Sequence, residues 1–318
     1  MNTMIEVDGL HKSYGDVHAV KGISFYVEQG RLFAFLGPNG AGKSTTIDMI
    51  CTFLKPDRGE VTVDGHRLGR EDGAIRSSIG VVFQDSLLDN LLTVEENLKT
   101  RGGFYGLDGR TLSASVERAM QVTGVTELRH RRYGKLSGGQ RRRCDIARAL
   151  VHTPKILILD EPTTGLDPQT RQSVWETVTR LQKDTGMTVF LTTHYMEEAA
   201  GADYVLIIDD GRIAAKGTPQ KLRETYTKDT LSLVCRDFDT AAGILRNRGL
   251  DFRQEGGRLV VPLSSTLDAL PVLEACRGDI ESFEVTGGTM DDAFIAVTGR
   301  SCGNDRHGET QSQAVFPG

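Results

Sequence analysis

The chain lacks most marks of a secreted, zinc-binding or membrane-spanning protein. Its five cysteines are odd in number and include no CxxC pair, so neither a disulfide framework nor a zinc site is predicted, and a reducing cytoplasm fits best. No apolar run approaches the roughly 18 residues that a membrane-spanning helix needs, and the first residues lack the pattern of a signal peptide. We therefore expect a protein that does not itself cross a membrane.

The chain also lacks an excess of positive charge. Lys and Arg number 38 against 43 Asp and Glu, which gives a formal net charge of -5 and a pI near 5.9. A constitutive nucleic-acid-binding protein usually presents a basic face, so no nucleic-acid partner is predicted. With 38% hydrophobic residues in 318, the chain can bury a large core and favours two domains.

Apolar runs that alternate with helical patterns fill most of the first 220 residues. After a β-like alternation over 4–27, buried strands are predicted at 31–37, 79–84, 155–160, 188–194 and 204–209. A helix is predicted at 44–54, an edge strand at 60–65 and amphipathic helices between about 90 and 130. This order predicts a mostly parallel sheet with a helical insert.

The pattern changes after residue 219. Predicted strands and helices then follow in the order βαββαβ, with strands at 231–236, 251–254, 258–263 and 280–286 and helices at 239–249 and 266–277. This order predicts a small ferredoxin-like α+β domain, followed by a last helix. The polar tail at 301–318 is predicted to be disordered.

A glycine-rich segment, GPNGAGKST, lies between the first buried strand and the helix that follows it. Its spacing matches GxxxxGK[ST]. Glycines allow the backbone to turn N–H groups toward phosphates, Lys43 can add positive charge at the β- and γ-phosphates, and the Ser44 hydroxyl can ligate Mg²⁺. We predict a phosphate-binding loop, called the phosphate loop below, made of Gly37, Pro38, Asn39, Gly40, Ala41, Gly42, Lys43, Ser44 and Thr45.

Two carboxylates end a later buried strand in the sequence ILILDEP. There Asp160 can face a magnesium ion, and Glu161 can face a water in line with the γ-phosphate. An apolar run followed by Asp-Glu is common at strand ends and means little alone. Together with the phosphate loop it predicts ATP hydrolysis.

A second glycine turn, LSGGQ at 136–140, precedes another helix and could also hold an anion. One nucleotide needs only one such cradle. The second turn, called the signature turn below, therefore predicts contact with a nucleotide held by a partner. The basic run at 141–143 that follows is interpreted as a solvated helix face.

These motifs together resemble the ATP-binding cassette (ABC) ATPases. GPNGAGKST, Gln84 in VVFQD, LSGGQ, ILILDEP, GLDP and TTH occur in that family's order over about residues 4–220. The resemblance implies an α/β P-loop NTPase fold with a RecA-like core, a helical subdomain and an antiparallel β subdomain. The predicted limits are 1–225 for the ATP-binding domain, about 86–150 for its helical subdomain and 226–300 for the small C-terminal α+β domain.

In that family two cassettes pack head to tail around ATP. The resemblance implies a homodimer in which Ser137, Gly138, Gly139 and Gln140 of one copy meet the ATP held by the other. It further implies that Glu161 is the general base or orients the attacking water, and that His194 and Lys43 contact the γ-phosphate. Ser44, Gln84 and Asp160 would then surround Mg²⁺, Asp167 would lie at the dimer seam, and Tyr14 would stack on adenine.

Finer features resemble the ATP-binding subunits of bacterial exporters of the daunorubicin-resistance type. SGGQRRRCDIARAL, EPTTGLDPQTR, THYMEEA and TMDDAFIAVTG extend the resemblance to about residues 4–300, although Gln140 replaces the Met frequent there. It implies a peripheral subunit at the cytoplasmic face of the membrane that exports a drug or other amphiphilic compound through separate integral membrane permease subunits.

Several alternatives stay open. The apolar residues in DSLLDNLLTVEENLKTRGGFYGL fit a groove for a permease helix or an ordinary helical core equally well. The chain could also be an ABC ATPase without a transport role that acts on a macromolecular complex, or a subunit of an importer.

Overall fold

The computed structural model describes residues 2–299 of the chain. Within those residues, none of the helices combines the length and the apolar character needed to cross a bilayer. The tail predicted at 301–318 lies outside the described residues.

Strands and helices alternate along the chain. The strands are β1 (Thr3–Tyr14), β2 (Val17–Glu28), β3 (Leu32–Leu36), β4 (Arg58–Val63), β5 (His66–Arg67), β6 (Ile79–Val82), β7 (Ile156–Asp160), β8 (Thr188–Thr193), β9 (Tyr204–Asp209), β10 (Arg212–Gly217), β11 (Asp229–Cys235), β12 (Arg253–Glu255), β13 (Arg258–Leu263) and β14 (Ile280–Thr286). The helices are α1 (Lys43–Ile50), α2 (Asp72–Ser78), α3 (Val94–Phe104), α4 (Gly109–Thr123), α5 (Gly138–Leu150), α6 (Pro168–Thr185), α7 (Met196–Ala200), α8 (Pro219–Tyr226), α9 (Phe238–Asn247), α10 (Ala269–Ala275) and α11 (Met290–Thr298).

A six-stranded sheet in the order β10-β9-β3-β8-β7-β6 forms the centre of the fold. All its neighbouring strands are parallel except β10, which is antiparallel to β9. The central strand β3 is buried along its whole length, as expected for a parallel strand covered on both faces. Parallel pairing brings the loops after β3, β6, β7 and β8 to one edge of the sheet.

A second sheet, in the order β2-β1-β4-β5, is antiparallel and packs on this core. The rings of Phe25 on β2 and Phe33 on β3 stack with their centroids 5.6 Å apart. The prediction of an edge strand at 60–65 is wrong, because β4 pairs with both β1 and β5. The helix predicted at 44–54 ends at Ile50, since the backbone at Thr52 turns to a left-handed φ of 68°.

Helices α3 and α4 occupy the region predicted to hold amphipathic helices, and both pack against α5. Thr93 begins α3 with a capping box in which its side chain bonds the Glu96 N–H and the Glu96 side chain bonds back. Such reciprocal capping satisfies backbone donors at a helix start. The insert therefore holds α5, which follows the signature turn, beside the central sheet.

The C-terminal region builds a separate antiparallel sheet in the order β12-β13-β11-β14. This strand order, with α9 and α10 between strands, is that of the ferredoxin-like split βαβ unit. Its own core includes Leu231, Leu245 and Val261. The boundary between residues 225 and 226 stays a prediction.

Helix α11 follows that sheet but packs elsewhere. It lies against α7, α8 and β10, and its Met290 and Phe294 are buried in the same cluster as Met196 and Leu222. The last described helix is therefore part of the larger core.

Candidate functional site

The phosphate loop joins β3 to α1 at the carboxyl edge of the central sheet. Gly40 and Gly42 have left-handed φ values of 76° and 102°, and a Cβ at Gly42 would lie 2.4 Å from the Ala19 carbonyl oxygen. The Lys43 ammonium donates to the carbonyl oxygens of Gly37 at 2.8 Å and Pro38 at 3.1 Å. This conformation, which requires glycine, suits a loop that wraps around a phosphate.

A cavity of about 490 Å³ opens beside this loop. Its volume lies within the range of small-molecule sites. It is lined by Ala19, Asn39, Gly40, Gly42, Lys43, Ser44, Thr45, Gln84, Glu161, Thr164 and His194. Residues from the ends of four strands that are distant in sequence therefore share one wall.

Glu161 lies between two basic side chains on that wall. Its Oε1 is 3.5 Å from Lys43 Nζ, and its Oε2 is 3.3 Å from His194 Nδ1. The Thr164 hydroxyl also donates to Oε2 at 3.0 Å. The His194 ring, with a further contribution from Lys43, lowers the pKa of Glu161 to about 2. The carboxylate is therefore ionised at neutral pH.

The backbone of Glu161 is strained. Its φ of 45° is unusual for a residue with a side chain, and such strain is often found at functional sites. The Glu161 N–H donates to the Thr192 hydroxyl at 3.0 Å and lies 3.2 Å from the Thr192 carbonyl oxygen. Pairing with β8 thus holds this conformation in place.

Three side chains near the cavity carry oxygen atoms that suit a magnesium ion as ligands. Ser44 and Gln84 are exposed on its wall, and Asp160 accepts a hydrogen bond from the Thr192 hydroxyl at 2.6 Å. Burial raises the pKa of Asp160, and the charge of Glu161 adds to the rise. Hydroxyl, amide and carboxylate oxygens are ligands that Mg²⁺ prefers, and it completes its shell with phosphate and water. Within residues 2–299 no group of three or more His, Cys, Asp or Glu side chains could hold a metal by itself.

Other predicted residues lie outside the cavity lining. These are Tyr14, Gly37, Pro38, Ala41, Asp160, Asp167 and the signature residues 137–140. The Tyr14 ring at the end of β1 is 50% exposed, which leaves room for stacking. Asp167 caps α6 by accepting from the Thr170 N–H at 3.0 Å.

The signature turn caps α5 and faces solvent. Ser137 Oγ accepts from the Gln140 N–H at 3.4 Å, and Gln140 Oε1 accepts from the Ser137 N–H at 3.1 Å. Ser137 and Gly138 are exposed, whereas Gly139 is buried. A single chain therefore leaves the start of α5 open to a ligand or partner.

The interpretation of residues 141–143 as a solvated helix face is wrong for Arg142. This side chain is 7% exposed and donates to the carbonyl oxygens of Phe83, Pro162 and, at 2.9 Å, Glu161. It thus ties α5 to the segments after β6 and β7. Helical spacing could have revealed it, because Arg142 shares one helix face with the buried residues Ile146, Ala149 and Leu150.

Comparisons with known proteins show the family of this chain. A family model described as ABC transporter matches residues 20–164. A daunorubicin resistance ATP-binding protein of Streptomyces coeruleorubidus is 35% identical over 306 residues, which cover 94% of this chain and 96% of that protein. A linearmycin resistance ATP-binding protein of Bacillus subtilis is 42% identical over 229 residues, which cover 72% of this chain and 73% of that protein.

Solved structures match the larger part of the fold. One is cbiO1 of Clostridium perfringens, part of the ABC transporter complex cbiONQ, with a TM-score of 0.65, 33% identity and coverage of 70% of this chain and 91% of that one. Another is the cassette MJ0796 in a dimeric post-hydrolysis state bound to ADP and Pi, with a TM-score of 0.61, 28% identity and coverage of 68% and 98%. These likenesses confirm the predicted α/β P-loop fold.

Replacing Arg142 tests whether its carbonyl contacts matter for turnover. Lys in Arg142→Lys keeps the charge but cannot span several carbonyl oxygens as a guanidinium does. We expect kcat for ATP to fall roughly tenfold, because small displacements of catalytic groups are costly. Steady-state ATP hydrolysis measures the change. Arg143→Lys, at the half-buried neighbouring position, is the control, and equal kcat values in the two variants would contradict the expectation.

Proposed function

This chain is an ATP-hydrolysing member of the ABC transporter family, and we propose that it powers export of a drug or other amphiphilic compound through a separate permease. The likeness to a daunorubicin resistance protein along almost the whole chain supports this proposal. So does a Nod factor export protein of Rhizobium, which is 42% identical over 223 residues. The observation that carries the catalytic part is the contact of Glu161 with Lys43 and His194 on one cavity wall.

The phosphate loop would hold the triphosphate of ATP. Its glycines would aim backbone N–H groups at the phosphates, and Lys43 would leave its carbonyl partners to meet the β- and γ-phosphates. Ser44, Gln84 and Asp160 would hold Mg²⁺, which when bound neutralises phosphate charge. Tyr14 would stack on adenine, since base–aromatic stacking contributes about 1–3 kcal/mol.

Glu161 would act as the general base or orient the attacking water. Its depressed pKa keeps it ionised, and its carboxylate lies beside the phosphate loop. His194 and Lys43 hold that carboxylate, and both would turn to the γ-phosphate when ATP binds. ATP binding would thereby free Glu161 to accept a proton from water.

A second copy of the chain would complete each site. The signature turn lies outside the cavity, and its Ser137 and Gly138 are exposed in one chain. In a head-to-tail homodimer Ser137 and Gly138 would meet the γ-phosphate of the partner's ATP, with the positive end of the α5 dipole behind them. Gly139 and Gln140 would lie close by, and Asp167 would lie at the seam. The likeness to a dimeric cassette supports this arrangement.

A permease subunit would dock on an apolar patch beside the helical insert. Leu87 and Phe104 are exposed, and Arg101 joins them, because its guanidinium donates to the Leu87 carbonyl oxygen and lies 5.7 Å from the Phe104 ring centroid. Exposed Leu91 and Tyr105 are their neighbours in sequence. Such a patch suits an amphipathic helix of a membrane protein. The chain would then be peripheral at the cytoplasmic face.

Glu161→Gln is expected to retain ATP binding and lose turnover. Glutamine keeps the shape but cannot accept the proton of water, so kcat should fall at least roughly 100-fold. ATP should then trap a dimer, which size-exclusion chromatography detects. Glu176→Gln, an exposed change on α6, is the control. Hydrolysis at the wild-type rate in Glu161→Gln would remove Glu161 from the mechanism.

Phe104→Asp is expected to weaken permease binding roughly tenfold or more, because a charge replaces an exposed apolar contact. Tagged chain is purified from membranes of cells that make it, and co-purified proteins of several membrane spans are quantified. Tyr26→Asp, at another exposed aromatic residue, serves as the control. Recovery of ribosomes or another macromolecular complex in place of a membrane protein would support the alternative without transport and overturn the proposal.

A further inference from the structure

Glu198, on the short helix α7, is a buried carboxylate between two threonines. Its side chain is 2% exposed. The Thr193 hydroxyl donates to Glu198 Oε2 at 2.6 Å, and the Thr163 hydroxyl donates to Glu198 Oε1. Both threonines are buried as well. Because a buried carboxylate is costly without donors, these hydrogen bonds fix the positions of all three side chains.

The two threonines stand beside the residues proposed for hydrolysis. Thr193 directly precedes His194, and Thr163 follows Glu161 by two residues. Glu198 therefore bridges the end of β8 and the loop after β7. The gap that it spans is the one across which Glu161 Oε2 and His194 Nδ1 lie 3.3 Å apart.

Tyr195, the residue that follows His194, is also fixed by contacts with its neighbours. The Tyr195 N–H donates to the Thr193 hydroxyl oxygen at 2.9 Å, and that hydroxyl in turn donates to Glu198. The Arg171 guanidinium lies 3.7 Å from the Tyr195 ring centroid. Both neighbours of His194 are thus connected to the same bridge.

Helix α11 covers the helix that carries Glu198. Its Met290 and Phe294 are buried in one cluster with Met196 and Ala199 of α7. This packing buries the face of α7 that carries Met196 and Ala199. Burial raises the pKa of Glu198, while the hydrogen bonds from Thr163 and Thr193 oppose the rise.

We propose that Glu198 is a positioning residue for ATP hydrolysis, which holds the two backbone segments that carry Glu161 and His194 at a fixed separation through Thr163 and Thr193. It acts through the threonines and not by contact with ATP. The inference rests on the roles given to Glu161 and His194 under the proposed function. The proposal implies that turnover requires Glu198, whereas binding of ATP does not.

Glu198→Gln in the full-length chain tests this role. Glutamine keeps the size but loses the charge and replaces one acceptor oxygen with an amide donor, so one of the two threonine hydroxyls can no longer donate to the oxygen it contacts now. We expect kcat to fall roughly 10- to 100-fold, while KM and the Kd for a fluorescent ATP analogue change less than about twofold. Glu197→Gln, at the exposed adjacent position, should keep the wild-type kcat. An unchanged kcat in folded Glu198→Gln overturns the proposal.

Thr193→Val removes the hydroxyl that donates to Glu198, and so tests the same interaction from its other side. It should lower kcat by a similar factor, and the double variant with Glu198→Gln should lose less than the product of the two single losses, since both changes affect the hydrogen bond between Thr193 and Glu198. Losses that multiply would show that the two residues act independently and would overturn the proposal. If Glu198→Gln does not fold, a wild-type kcat in Thr193→Val overturns it.

Glu161→Gln measured in parallel separates two kinds of failure. Lost turnover in Glu161→Gln with normal kcat in Glu198→Gln would end only the positioning inference. Normal turnover in Glu161→Gln would end the proposed catalytic roles themselves.

Discussion

Parallel pairing of the central strands is the constraint on which the rest of the site depends. In the register of the sheet, Leu36 on β3 pairs with Thr193 on β8, and Asp160 on β7 pairs with Thr192 on β8. The residues that follow these positions therefore emerge at one edge, although they come from distant parts of the chain. Only this alignment allows Glu161 to lie within 3.5 Å of both Lys43 and His194.

The strand ends need support from outside the sheet, because loops are otherwise mobile. Arg142 binds carbonyl oxygens after β6 and β7 from α5, and Glu198 joins the segments after β7 and β8. Arg142 lies on α5, which begins at the signature turn, and Glu198 lies on α7, which packs against α11. The proposed contact with a second copy and the C-terminal region thus both reach the residues around Glu161.

Local patterns account for what the sequence predicted well. The strands of the central sheet are short apolar runs, and the phosphate loop follows from glycine spacing in residues 37–45. Burial of Arg142, pairing of β4 on both sides and packing of α11 on α7 arise from contacts between distant segments. No local pattern encodes the pairing of β4 or the packing of α11, although helical spacing does place Arg142 on the buried face of α5. The sequence did not reveal Glu198, because a Glu on a short helix usually faces water.

The central claim is that each chain supplies half of every catalytic site. Mixing Lys43→Ala chain with Ser137→Arg chain tests it, because a head-to-tail mixed dimer has one site with an intact phosphate loop and an intact signature turn. Each variant alone should be inactive, whereas an equal mixture should recover up to about a quarter of the wild-type ATPase rate. A mixture as inactive as its components, or full activity of Ser137→Arg alone, would contradict the claim.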